Sequence, residues 1–238
     1  MLKYLSLNNI KKIFYVIMAD GYKSFFHIVK EIFMRYWYVE RHGLKYTKNK
    51  ISITELNKEV NSKMYEEFGV EYGISQFNWL KLGVNGLPIN LKNSTILDIG
   101  SGEGIPLCYF AQVGFKELIG IEYSKNLVKT SRKNLEIIKK KYNNISWNII
   151  NGNAYDYQIP DKVNVIYMFN PFFGDLLNAV LKNIQKAGES KTIFILFANP
   201  PKENITKKYL IKVKEIRKDY PRVFLYKTKS INKNKNGM

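Results

Sequence analysis

Residues 96–104 read Ile-Leu-Asp-Ile-Gly-Ser-Gly-Glu-Gly, and no other stretch of the chain narrows its fold so sharply. The apolar run Thr95–Ile99 has strand length. The stretch Ile105–Val113 has helix length, and a glycine-rich loop joins the two. Glycine allows a sharp turn at positive φ and leaves the backbone amides open to a ligand. Strand, glycine loop and helix open an α/β unit, and the pattern then repeats. Glu117–Glu122 is the next predicted strand. Ser124 caps a helix that runs to Lys141 with Leu127, Val128, Leu135 and Ile138 inward. Further strands are predicted at 145–150, Val163–Phe169 and 192–198. Between the last two lies a helix over 175–187 whose apolar side is Leu176, Leu177, Val180, Leu181 and Ile184. Strands alternating with helices of this length predict a mainly parallel sheet covered on both faces. Near the C-terminus 222–229 is strand-like, whereas 209–217 fits neither period well. A final antiparallel hairpin turning near Asp219-Tyr220-Pro221 is the favoured expectation. The basic tail 230–238 is expected to be disordered.

The N-terminal part differs from this alternation. Residues 1–50 look helical, with Phe25, Ile28, Val29, Ile32, Phe33 and Tyr36 forming one apolar face. Lys23, Lys30 and Arg35 fall mostly off that face. Such a stripe predicts a helix that covers the central domain or a partner chain. A basic aromatic helix lying on a membrane surface is the alternative. His42-Gly43 ends the pattern, and 44–60 is polar and irregular, with Ser52 or Thr54 able to cap a short helix near Glu55. A helix carrying Phe77, Trp79, Leu80 and Leu82 is predicted over 74–90 and closes at Gly86-Leu87-Pro88. The expected organisation is a helical extension over 1–90, a central domain over 91–229 and the tail.

Charge follows the same division. The chain of 238 residues carries net +18. Residues 1–50 contribute +7 and residues 201–238 contribute +9, so the 150 residues between them are nearly neutral at +2. Basic ends suit an anionic partner, either nucleic acid or a membrane surface. A codon bias that enriches Lys, Asn, Ile, Tyr and Phe would leave the same charge without any partner. A single cysteine, Cys108, excludes an internal disulfide framework and suits a reducing compartment. It falls on the helix after the glycine loop, where a small core residue is expected. No apolar stretch is long enough to span a membrane. The first 20 residues lack a clean signal-peptide core. The expected location is cytoplasmic, with a peripheral seat at the membrane as the variant that the N-terminal helix suggests.

The loop also discriminates between cofactors. A dinucleotide fingerprint needs glycines at relative positions one, three and six. Counting from Gly100 the sixth position is Ile105, and counting from Gly102 it is Leu107, so neither fits. The pattern Asp98-x-Gly100-Ser101-Gly102-x-Gly104 instead resembles the first motif of class I S-adenosylmethionine-dependent methyltransferases. That resemblance implies a Rossmann-like, mainly parallel seven-stranded sheet with helices on both faces. It implies a loop that wraps the methionine part of the cofactor, with Asp98 accepting the positively charged amino end. An acid at the end of the second strand, Glu122, would take the ribose hydroxyls, because a carboxylate accepts two hydrogen bonds side by side. Tyr123 would pack on the adenine. After the third strand the family often places an Asp that meets the adenine amino group. Here that position is Asn153, whose side-chain oxygen can accept the same bond, and the Ala154 amide could donate to the ring.

The fourth strand ends Asn170-Pro171-Phe172-Phe173. This turn resembles the Asn-Pro-Pro-aromatic motif of amino-directed methyltransferases, in which the Asn holds a planar nitrogen and the aromatic stacks on it. Here one proline is followed by two phenylalanines. Asn170 is therefore the expected acceptor-orienting residue at the edge of the cofactor site, with Pro171, Phe172 and Phe173 toward the substrate. Arg41-His42-Gly43-Leu44 and Tyr72-Gly73-Ile74-Ser75 resemble the entry segments of a group of small methyltransferases that pair an Asn-Pro-Phe turn with an N-terminal helical extension. In that group the tyrosine and hydroxyl before the first strand line the cofactor site, which implies those places for Tyr72 and Ser75. Tyr155, Asp156 and Tyr157 are candidates for the same crevice. His27 and His42 read as structural, and no general base stands out. Three functions follow as expectations: methylation of a macromolecule, nucleic acid or protein; methylation of a small molecule or of a saccharide or lipid precursor at a membrane; and a non-catalytic binding module that keeps the fold.

Overall fold

The alternation of apolar runs builds one twisted sheet in the computed structural model, which describes residues 22–47, 51–52, 54–56, 63–70, 72–73, 75–201, 204–217 and 222–229. Three helices precede the sheet: α1 (Tyr22–His42), α2 (Lys63–Phe68) and α3 (Phe77–Asn85). Then follow β1 (Thr95–Ile99), α4 (Ile105–Val113), β2 (Glu117–Glu122), α5 (Lys125–Lys141), β3 (Ser146–Asn151) and β4 (Val163–Phe169). The chain continues as α6 (Gly174–Ala187), β5 (Phe194–Ala198), α7 (Asn204–Tyr209), β6 (Leu210–Arg217) and β7 (Val223–Thr228). The seven strands lie in the order β3-β2-β1-β4-β5-β7-β6. The first five run parallel, and β7 inserts antiparallel between β5 and β6.

Successive residues of a strand point to opposite faces, and each face here has its own core. Ile96 and Leu118 face one side, where they meet Leu107, Phe110, Leu135 and Leu80. Leu97, Ile99, Ile119 and Ile121 face the other, where they meet Leu176, Leu177, Leu181 and Ile184 of α6. All five residues of β1 are buried, because β1 is central and covered on both faces. Strand order reverses between β1 and β4, and in open α/β sheets the ligand crevice lies at that reversal, outside the carboxyl ends of the strands. The expected sheet and its helices are thus present, and 210–217 resolves as a strand. The hairpin turn near residue 219, the first 21 residues and the tail lie outside the described residues. Two six-residue helices, α2 and α7, had no counterpart in the sequence reading, since six residues are too few to show a helical period.

The N-terminal helix departs from expectation in its orientation. Val29 and Phe33, assigned to the covered face, are 38% and 58% exposed, and Trp37 is 49% exposed. The buried face is instead Glu31, Tyr38, Val39 and His42. Aromatic packing at the C-terminal half of α1 decides this. The Tyr38 ring lies 4.4 Å from Phe77 on α3 and 4.4 Å from His42. A helix turns as one body, so Val29 and Phe33 face outward once Tyr38 is docked. The side chains of Phe25, Ile28 and Ile32 lie outside the described residues, as does that of His27. His42 is structural: Nδ1 lies 2.9 Å from the Tyr38 carbonyl, and burial lowers its pKa. Among the described residues no helix is long and apolar enough to cross a membrane.

Residues 44–47 form a strap rather than a loose connection. The Asn134 side chain on α5 accepts from the Lys45 amide at 2.7 Å and donates to the Lys45 carbonyl at 2.8 Å. Thr47 donates its amide and hydroxyl to Glu103. Ser52, rather than Thr54, caps the short turn by accepting from the Glu55 amide at 3.2 Å.

Candidate active site

The glycine loop turns as its composition requires, with φ of 77° at Gly100, 53° at Gly102 and 72° at Gly104. Two of these positions have no room for a side chain. A Cβ on Gly102 would collide with the Tyr72 ring, and one on Gly104 with the Ser131 hydroxyl. The Gly102 amide donates to Glu122 Oε2 at 2.9 Å, and the Ser124 amide donates to Oε1 at 3.0 Å. Glu122 is therefore held between the loop and the start of α5.

Asp98 is buried at 2% exposure at the end of β1, and its Oδ2 has no hydrogen-bond partner. Burial, and then the nearby Glu122 charge, push its pKa well above the usual carboxylate range. The Ser101 hydroxyl is likewise buried and unpartnered. A buried carboxylate without a donor is costly, so this pair marks a place where a cationic or hydrogen-bonding ligand would be welcome.

A cleft lies over this loop. Its walls include Tyr72, Ser75, Asp98, Gly100, Ser101, Glu122, Tyr123, Ala154, Pro171 and Phe172, which brings together ten of the residues singled out from sequence. Gly102, Gly104 and Asn153 are not part of that lining; the Asn153 side-chain nitrogen lies 3.4 Å from the Tyr155 hydroxyl. Phe173 points elsewhere. It is 45% exposed and packs edge-on to Phe68 at 5.8 Å. Asn170 stands beside the cleft at φ 37°, a left-handed conformation that asparagine tolerates better than most residues. Its amide donates to the Ala198 carbonyl at 3.0 Å. Tyr72 and Ser75 are placed as expected, but each hydroxyl is already engaged. Tyr72 donates to Glu103 Oε2 at 2.8 Å, and Ser75 accepts from the Tyr167 hydroxyl at 2.8 Å. Asp156 is exposed, whereas Tyr155 comes within 6.3 Å of the Tyr65 ring. Cys108 is fully buried, with its thiol pushed up by burial, as a core residue rather than a nucleophile.

Sequence reasoning missed several residues in or beside the site. Tyr65 and Phe169 also line the cleft; Tyr65 sits on the unforeseen helix α2. Glu103 is buried and gathers Thr47 and Tyr72 onto the glycine loop; its place inside the motif was its only signal. Asn199 is the second non-glycine residue at positive φ, 51°, at the end of β5 beside Asn170. An Asn-Pro dipeptide at a strand end marked it just as it marked Asn170.

Residues 96–188 match the family described as Methyltransferase domain. Residues 96–188 carry a methyltransferase domain. Its cofactor is S-adenosylmethionine, and the chain is an enzyme of methyl transfer. Similarity to solved structures gives the same fold. An RNA methyltransferase from Salinibacter ruber, in complex with S-adenosyl-L-homocysteine, superposes with a TM-score of 0.52 at 15% identity; the match covers 66% of this chain and 94% of that one. The StiE O-MT segment superposes with a TM-score of 0.51 at 11% identity, covering 65% of this chain and 74% of that one. In the methyltransferase domain the orphaned Asp98 oxygen and the side-chain-free Gly102 fit a cofactor that carries an ammonium group and lies close against the loop.

Proposed function

We propose that this methyltransferase modifies nitrogen on a macromolecule, and that Asn170 orients the acceptor. The observation that carries the proposal is the strand-end turn at Asn170-Pro171-Phe172. Asn170 is held at positive φ, Pro171 lies against Gly100 of the cofactor loop, and Phe172 is buried in the cleft wall. Strain at a non-glycine residue is tolerated where surrounding structure fixes it, and such residues cluster at functional sites. Basic ends supply the attraction to an anionic macromolecule.

In this reading Asp98 takes the cofactor's ammonium group and Gly100, Ser101, Gly102 and Gly104 shape the loop around it. Glu122 takes the ribose hydroxyls, and Tyr123, Asn153 and Ala154 surround the adenine. Tyr72 and Ser75 close the site from the N-terminal side. The cofactor supplies an electrophilic methyl group on a sulfonium. The protein's part is positioning and exclusion of water, which together are worth up to about 7–11 kcal/mol in well-oriented reactions. A planar nitrogen held by the Asn170 side chain needs no strong base.

Tritiated methyl transfer into a fractionated cell extract tests the acceptor class. The expected result is label that enters the macromolecular fraction and is removed by ribonuclease or protease. Label confined to small molecules or lipids would refute the proposal. Asn170→Ala should slow that transfer by roughly 100-fold, the usual cost of losing a positioning contact, while S-adenosylhomocysteine affinity stays within about twofold. An unchanged rate would remove Asn170 from the mechanism.

One observation favours a second reading. Val29, Phe33 and Trp37 form an exposed stripe on α1, with the Arg41 guanidinium 4.6 Å above the Trp37 ring. Aromatic and basic groups on one helix suit an anionic membrane surface, which would put a lipid-linked acceptor within reach. Flotation with phosphatidylserine vesicles separates the readings, since a chain that stays at the bottom of the gradient excludes this one.

A further inference from the structure

Tyr65 stands where the adenine of the cofactor would have to be. The side chain is 2% exposed. Its ring stacks on Tyr123 with centroids 4.3 Å apart and planes 9° from parallel. Its phenol oxygen accepts the Ala154 amide at 3.0 Å. Phe172 meets the ring edge-on at 6.0 Å. Stacking on Tyr123 and a bond from the Ala154 amide are the two contacts assigned above to the adenine base. A second base cannot slide between rings already in stacking contact, and the single Ala154 N–H is already donated. Base and phenol therefore compete for one slot. The free space enclosed in the cleft is about 80 Å³, far below the roughly 300–1,000 Å³ of small-molecule sites.

The segment that carries Tyr65 is docked against the Asn-Pro-Phe-Phe turn and the start of α6, where Phe68 packs edge-on to Phe173 at 5.8 Å and closes on Gly174. The Phe173 amide donates to the Phe68 carbonyl at 3.0 Å, and Gly69 forms an isolated bridge to Phe172. Both attachments are to the Asn-Pro-Phe-Phe turn proposed to receive the acceptor. On its other side the Tyr72 amide donates to the Ile51 carbonyl at 3.0 Å. α2 is a single short helix, and such elements open at low free energy compared with a sheet core.

We propose that residues 63–70 form a gate over the cofactor site, in which Tyr65 imitates the adenine base and must leave before the cofactor can bind. The proposal rests on the assignment of Tyr123 and Ala154 to the adenine. Bound cofactor then keeps Tyr65 out of the slot and the segment loosened from the Asn170 turn, so that filling the cofactor site uncovers the acceptor site. The apparent affinity for cofactor is lowered by the fraction of molecules whose gate is closed.

Calorimetric titration of the full chain with S-adenosylhomocysteine tests the gate. Tyr65→Ala should bind about 10-fold tighter than wild type, because the closed fraction is removed. Tyr65→Phe keeps the stack but loses the phenol oxygen, so it should fall between the two. Amide hydrogen exchange on the wild-type chain gives a readout that needs no variant: peptides covering 63–70 should lose protection when S-adenosylhomocysteine is added at saturation. Equal or weaker binding by Tyr65→Ala, or a gain of protection over 63–70, would overturn the gate and leave the cofactor site in place. If neither wild type nor Tyr65→Ala takes up S-adenosylhomocysteine, the gate and the site assignment fall together.

Discussion

Asp98→Asn is expected to make the protein more stable and its cofactor binding weaker. Asp98 is buried with one oxygen unpartnered, and burial together with Glu122 raises its pKa. A carboxyl whose folded pKa is raised contributes stability that is complete below the ordinary carboxylate range and is lost as pH rises through the folded pKa. At neutral pH the folded state thus bears the cost of that carboxyl, and an amide of the same shape relieves it. The melting temperature of Asp98→Asn should exceed that of wild type by a few degrees, at roughly 2–4 °C per kcal/mol for a domain of this size. The advantage should shrink as pH is lowered toward 4. Binding runs the other way. A hydrogen bond between the carboxylate and an ammonium in a buried site is worth about 1.5–3 kcal/mol, so S-adenosylhomocysteine affinity should drop by about 10- to 150-fold. Wild-type binding should tighten with rising pH, releasing protons across the interval above the ordinary carboxylate range, and the variant's should not. Titration calorimetry in buffers of differing ionisation enthalpy measures those protons. A variant that binds as tightly as wild type would show that Asp98 does not hold the ammonium group. Function at this position is bought with stability, a common trade at binding sites.

The legible parts of this structure were those with period and length. Five parallel strands and the helices α4, α5 and α6 could be placed because each had enough apolar residues to show its spacing. The glycine loop and Glu122 could be placed because a turn at positive φ and a paired acceptor demand particular residue types. Asp98, Glu122, Tyr123 and Ala154 then converge because the strand order brings the ends of β1, β2 and β3 side by side. What stayed hidden depends on tertiary contact. The rotation of α1 is set by Tyr38 against Phe77, a pair 39 positions apart whose meeting leaves no periodic trace. Glu103 looked like a spacer inside the motif, yet it fastens residues 47 and 72 to the loop. Tyr65 sits on six helical residues that show no pattern of their own. Each of these belongs to the N-terminal extension or receives it, and that extension is where composition is least informative.

Gly102→Ala should be the most damaging single methyl group in the site. Alanine at φ 53° costs about 1–2 kcal/mol. The added Cβ also meets the Tyr72 ring, which cannot retreat freely, because its hydroxyl is bonded to Glu103 and its amide to the Ile51 carbonyl. Forcing a methyl into such packing costs a further 1–3 kcal/mol or so. The loop could yield instead, but the Gly102 amide positions Glu122, so relief on that side moves the proposed ribose ligand. Stability should therefore fall by roughly 2–5 kcal/mol in denaturant unfolding, and S-adenosylhomocysteine affinity should fall at least about 10-fold, by the loss of one well-placed hydrogen bond to a charged acceptor. The two causes can be separated by a double-mutant cycle with Tyr72→Ala. If the collision matters, Gly102→Ala costs less once the ring is gone, and the coupling should reach about 1 kcal/mol or more. If the two changes add within about 0.5 kcal/mol, the left-handed backbone is the whole effect. In that case Tyr72 serves the loop only through its bond to Glu103, and Gly102 is glycine for its φ rather than for the approach of the ring.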